Sequence, residues 1–145
     1  MTTQNTPFLS AYKGYLSNIL KWEELDMLWQ TLRAQANAGW HLYAVGETVP
    51  QQPATAEQVT SFIEEIDKLL HSEHQEDYCG IVYVDDRESP TLIKIYDPNH
   101  LGSSCGPGWG EVLPGWVLST LPPVDLKATI PPPNNRRRWW QNIFS

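Results

Sequence analysis

Apolar residues in the first third of the chain recur at three- and four-residue spacing, the period of a helix face. Phe8, Leu9, Tyr12, Tyr15, Leu16, Ile19 and Leu20 make one such stripe, opening at Thr6–Pro7, where Pro7 suits a first helical turn. Trp22, Leu25, Leu28, Trp29 and Leu32 make a second, closed by Gly39. The spacing alone is compatible with one kinked helix or two. A third helical face runs through Val59, Phe62, Ile63, Ile66, Leu69 and Leu70. Thr55 and Gln58 precede it at capping-box spacing, where the threonine oxygen takes an N3 amide and the glutamine reaches back.

Between and after these helices the pattern shortens and turns β-branched and aromatic, which predicts strands. "WHLYAVG" at 40–46, "YCGIVYV" at 78–84, "TLIKIYD" at 91–97 and "WVLSTL" at 116–121 are the four candidates. "DDRESP" joins the second and third as a hairpin loop. Asp85, Asp86 and Glu88 at its tip are read as a solvated, protective turn, since paired carboxylates doing acid–base chemistry need a cleft. The expected fold is a small single α+β domain: about four mostly antiparallel strands with two or three helices on one face. It spans residues 1–126, and 127–145 form a proline-rich linker and an extended C-terminal tail.

Composition supports one globular unit. With 145 residues, 41% hydrophobic and 19% charged, the chain can bury a core without disulfides or metal. No stretch nears the roughly 20 apolar residues of a membrane span, and "MTTQNTPFLSAYKG" has no export-signal pattern, so a cytoplasmic location is expected. Two cysteines in such a compartment are expected as free thiols.

Charge singles out the tail. The net charge is −7, and setting aside the +3 of Arg136, Arg137 and Arg138 leaves −10 on the rest. A body of that charge repels phosphate backbones, which argues against nucleic acid as partner. After Pro131–Pro133, the tail carries Arg136, Arg137, Arg138, Trp139, Trp140, Ile143 and Phe144. Arginine and tryptophan are the residue types enriched at interface hot spots. A helix there would align Trp140, Ile143 and Phe144 for a groove. The alternatives are folding back onto the acidic body and, at most peripherally, contact with a lipid headgroup layer.

Three other groups could carry chemistry. Cys105 lies in the glycine-rich run "DPNHLGSSCGPGWG", where a nest of backbone N–H groups would activate a thiol with His100 as base. The opposing reading has the glycines permitting tight turns and Cys105 filling a gap. His71, His74 and Cys79 in "HSEHQEDYC" are metal-ligand types without the paired spacing of a structural zinc site. Trp40, Trp109 and Trp116 could form a platform for a flat ligand, or simply pack. No cofactor is expected.

The reading that follows is a non-enzymatic cytoplasmic accessory or adaptor protein that docks a larger protein through its tail. A small thiol-dependent or metal-assisted enzyme at Cys105 is the alternative, and an aromatic ligand-binding module the second. The sequence assigns no oligomeric state.

Overall fold

The structure is a computed structural model and describes residues 6–98, 113–126 and 134–143. In chain order the elements are α1 (Pro7–Lys13), β1 (Ser17–Ile19), α2 (Trp22–Ala34), β2 (His41–Ala44), α3 (Ala56–Glu73), β3 (Val82–Val84), β4 (Leu92–Ile95), β5 (Trp116–Ser119) and α4 (Asn134–Ile143). The five strands form one antiparallel sheet in the order β1-β3-β4-β5-β2. The chain is a small α+β protein with an antiparallel sheet, as its hydrophobic pattern predicts.

Period-two alternation divides the strands between two cores. Ile19, Val82, Ile93, Trp116 and Leu42 point to the face covered by α2 and α3, where they meet Leu25, Trp29, Phe62 and Ile66. The neighbouring positions Tyr43, Leu92 and Val117 point the other way, onto Phe8 and Tyr12 of α1. On this second face Lys94 is buried too, its ammonium 3.8 Å from the centroid of the Tyr12 ring. The expected layer of two or three helices on one face is present as α2, α3 and α4, and a further helix, which the pattern did not place, lies on the other face. α1 covers the opposite side, because the strands are apolar on both faces and each needs a lid.

A short fifth strand, β1, joins the roughly four expected because the first apolar stripe is not one helix. The Gly14 N–H closes α1 by donating to the Ala11 carbonyl (3.2 Å), and Ser17–Ile19 then pair with Val84–Val82. Ile19 is buried in the sheet, whereas Tyr15 and Leu20 of the same stripe are 87% and 53% exposed. Their spacing mimicked a helix face, and tertiary pairing overrode it. α2 also ends earlier than expected, at Ala34. Gly39 (φ +89°) instead serves the turn into β2, in the left-handed region that favours glycine.

The third helix forms as its sequence dictates. Gln58 N donates to Thr55 Oγ1 (3.1 Å) and Thr55 N to Gln58 Oε1 (2.9 Å), and all six apolar positions of its stripe are buried. The hairpin tip is built by its own acids. Asp85 Oδ1 accepts from the Asp86, Thr91 and Leu92 amides, and Asp86 Oδ1 from those of Glu88 and Ser89. Arg87 leaves the tip to pair with Glu24 (3.1 Å) and to donate to the Asn18 carbonyl (2.9 Å), which covers the edge strand β1.

Candidate interaction site at the C-terminal helix

Residues 134–143 of the tail are helical, and the helix lies against α3. Its register explains how it is seated. Arg136, Trp139, Trp140 and Ile143 fall at i, i+3, i+4 and i+7, one face of a helix, and that face meets the body. The four residues that turn inward include one charge, and that charge is the best buried of them.

Arg136 is 6% exposed and bridges two carboxylates. Its Nε donates to Asp97 Oδ2 (2.8 Å) and its Nη2 to Asp97 Oδ1 (3.0 Å), a two-pronged pairing. Nη1 donates to Glu73 Oε2 (3.1 Å) and Nη2 to Glu73 Oε1 (2.6 Å). Asp97 follows the end of β4 and Glu73 ends α3, so one guanidinium ties the sheet, the helix and the tail together. The planar fork of arginine suits this geometry, and a lysine ammonium could not reproduce it. Burial alone would pull the guanidinium pKa down. The hydrogen bonds and charges of Asp97 and Glu73 outweigh that effect and raise it above the ordinary arginine value.

Aromatic edges complete the seat. The Trp139 ring lies 5.3 Å from Trp116 and 6.3 Å from Phe62, and Trp140 lies 5.9 Å from Phe62, all in tilted, edge-directed arrangements. Beside them a shallow groove of about 350 Å³ runs between the two helices, lined by Lys68, Ser72, Glu73, Asn135 and Trp139 among others. The other side of α4 faces solvent. Arg137 and Arg138 are exposed there with Gln141 and Asn142, and Arg137 Nε reaches Glu47 Oε2 at 3.2 Å. The consecutive arginines thus divide: Arg136 is a buried anchor, and Arg137, exposed but in contact with Glu47, and Arg138 form the basic outer side of the helix.

The other candidate residues are placed as follows. Phe144, Trp109, His100 and Cys105 lie outside the described residues. Trp40 is fully buried, its Nε1 donating to the Gln35 carbonyl (3.0 Å), and Trp116 is 3% exposed beneath Trp139. Both are core residues with no open face for a flat ligand, as large indoles with an internal partner tend to be. His71 and His74 diverge. His74 Nε2 lies 2.8 Å from the Cys79 carbonyl, which only accepts, so that nitrogen carries a proton. His71 stacks on Trp22 and faces Asp67. Cys79 is fully buried, and burial pushes its thiol pKa up against the opposing amides of Ile81 and Val82. The three do not form one ligand set.

Sequence reasoning missed Asp97 and Glu73 as the receptor for the tail. The available signal was an aspartate closing a largely apolar strand, "LIKIYD", in a body short of cations. Its partner lies 39 residues away and that of Glu73 lies 63 away, distances that no local pattern reports. Comparison with protein-family models, curated proteins and solved structures yields no match to this chain. Among the described residues no helix is long and apolar enough to cross a membrane.

Proposed function

We propose that this chain is a non-enzymatic, cytoplasmic accessory or adaptor protein, and that α4 is the element through which it docks a larger protein. The observation that carries the reading is the division of labour along α4. Arg136, Trp139, Trp140 and Ile143 hold the helix on its own body, while Arg138, and Arg137 beyond its contact with Glu47, are exposed on a body of opposite charge. A helix pre-ordered on a rigid platform binds without the entropy cost of folding at the moment of contact. The partner surface that fits is acidic, and it meets the arginines beside Gln141. Two neighbouring guanidiniums match carboxylates in two-pronged pairs and steer the approach of such a surface.

The test separates the outward face from the seat. In the double variant Arg137→Gln/Arg138→Glu the inward residues are untouched and no second carboxylate is set against Glu47, so tryptophan emission stays as in the wild type. Partner recovery from a native lysate is expected to fall to that of a chain deleted for 134–145. Equal recovery by wild type, double variant and deletion would remove the tail from the account.

A further inference from the structure

Away from the tail, α2 and α3 bring three metal-ligating side chains to one point. Asp67 and His71 lie four residues apart on α3 and share a face. Asp26 of α2 meets them, and one donor atom from each of the three lies within 4.8 Å of the other two. Carboxylates alone are ordinary on an acidic surface; the histidine and the way it is held make this cluster different. The Trp22 indole stacks on the His71 ring with centroids 4.3 Å apart, and Trp22 Nε1 is itself fixed by donating to the Glu76 carbonyl (3.0 Å). Trp29 Nε1 donates to Asp67 Oδ1 at 3.0 Å. Asp67 is thus oriented by a hydrogen bond from outside the cluster, as ligating carboxylates are, and His71 by ring stacking.

The spacing of the two α3 donors also fits. His71 Nε2 lies 3.4 Å from Asp67 Oδ1. Two donors about 2.0–2.1 Å from a tetrahedral ion are about 3.3 Å apart. From this geometry we propose that Asp26, Asp67 and His71 form a three-ligand site for a borderline divalent transition-metal ion, with Zn²⁺ the type case and solvent in the fourth position. Two carboxylates balance the ion's charge, and the negative body raises the local cation concentration. An imidazole with only two carboxylates selects against Mg²⁺ and Ca²⁺, which take larger sets of oxygen donors. The bound ion would clip α2 to α3 on the outer surface of the helical layer.

The experiment is calorimetric titration of the full, untagged chain with ZnCl₂ at neutral pH. One ion per chain is expected to bind, and MgCl₂ is expected to give no heat of binding. His71→Ala and Asp26→Asn, both at exposed positions, should each weaken Zn²⁺ binding about tenfold or more with an unchanged circular dichroism spectrum. A His100→Ala/Cys105→Ser variant should bind as the wild type does. No saturable Zn²⁺ binding, binding that survives His71→Ala, or binding lost with His100 and Cys105 would each overturn the assignment.

Discussion

Replacing Arg136 by methionine retains a long, helix-compatible side chain and removes only the guanidinium. Four charge-assisted hydrogen bonds go with it, and Asp97, whose side chain is 5% exposed, loses its cation. Summing four such bonds would overstate the loss, because the pair was desolvated when it formed. Removal of one partner from a buried pair costs about 3–5 kcal/mol. The full penalty applies only while α4 stays seated. A ten-residue helix is marginal by itself, so undocking is the less costly response. It rehydrates both carboxylates and strips Trp139 and Trp140 from Phe62 and Trp116. The expected loss is therefore about 3 kcal/mol, the low end of the range. Urea titration followed by tryptophan fluorescence reads it, with acrylamide quenching as a measure of exposed indole. Arg136→Lys should fall between the two, keeping charge without the fork. Adding Asp97→Asn to Arg136→Met should recover part of the loss, since the buried carboxylate that faced the guanidinium is then neutral. A methionine variant with wild-type urea midpoint and wild-type quenching would refute the role of Arg136, as would strict additivity with Asp97→Asn.

Other outcomes follow from single sites. Thr55→Ala removes the cap of α3 and should cost about 1 kcal/mol in the same titration; no change would mean that the capping bonds contribute nothing net. Gly80 has φ +74° and the Tyr78 ring 3.0 Å from where a Cβ would sit, so Gly80→Ala should cost about 1–2 kcal/mol by the same measurement. Cys79, buried and with its pKa raised first by desolvation, should resist iodoacetamide in the native chain at neutral pH and react after unfolding. Peptide mass spectrometry decides this, and native labelling at Cys79 would contradict its burial. The Tyr43 hydroxyl accepts from Leu126 N (3.0 Å), and burial raises its pKa above the ordinary value, with the Asp125 charge adding to the rise. A raised folded-state pKa favours the protonated native form, so this contribution is full below pH ~10 and is lost as pH rises through the folded value. The Tyr43→Phe chain should therefore lose less stability than the wild type above that pH, and parallel pH profiles would count against it.

Local chemistry made some of these features visible in the sequence and long-range chemistry hid the others. Thr55, Gln58 and the apolar face behind them interact over a few residues, and α3 matches its pattern at nearly every position. Strands β2, β4 and β5 announced themselves by β-branched and aromatic runs. β1 did not, since three residues cannot establish a period of two, and Tyr15, Leu16 and Leu20 happened to extend a helical one. The double-sided burial of the sheet was hidden because α1 had a plausible place on either face. In the tail, the helical face was readable from Trp140 and Ile143. The inward turn of Arg136 was not, because it depends on Asp97 and Glu73 meeting at one end of the sheet. Composition marked the three arginines as one positive cluster, and only the fold divides them by role.

That division is the central claim, and site-specific photo-crosslinking tests it most directly. A benzophenone side chain in place of Arg138 faces solvent, and one in place of Trp140 faces Phe62. On illumination in a native lysate, the Arg138 position is expected to give a discrete adduct with a second, larger protein, and the Trp140 position an internal crosslink to α3. The adduct should vanish when Arg137 is also changed to Gln, which removes the charge without setting a second carboxylate against Glu47. Internal crosslinks from both positions, or an intermolecular adduct from Trp140 and none from Arg138, would contradict the account.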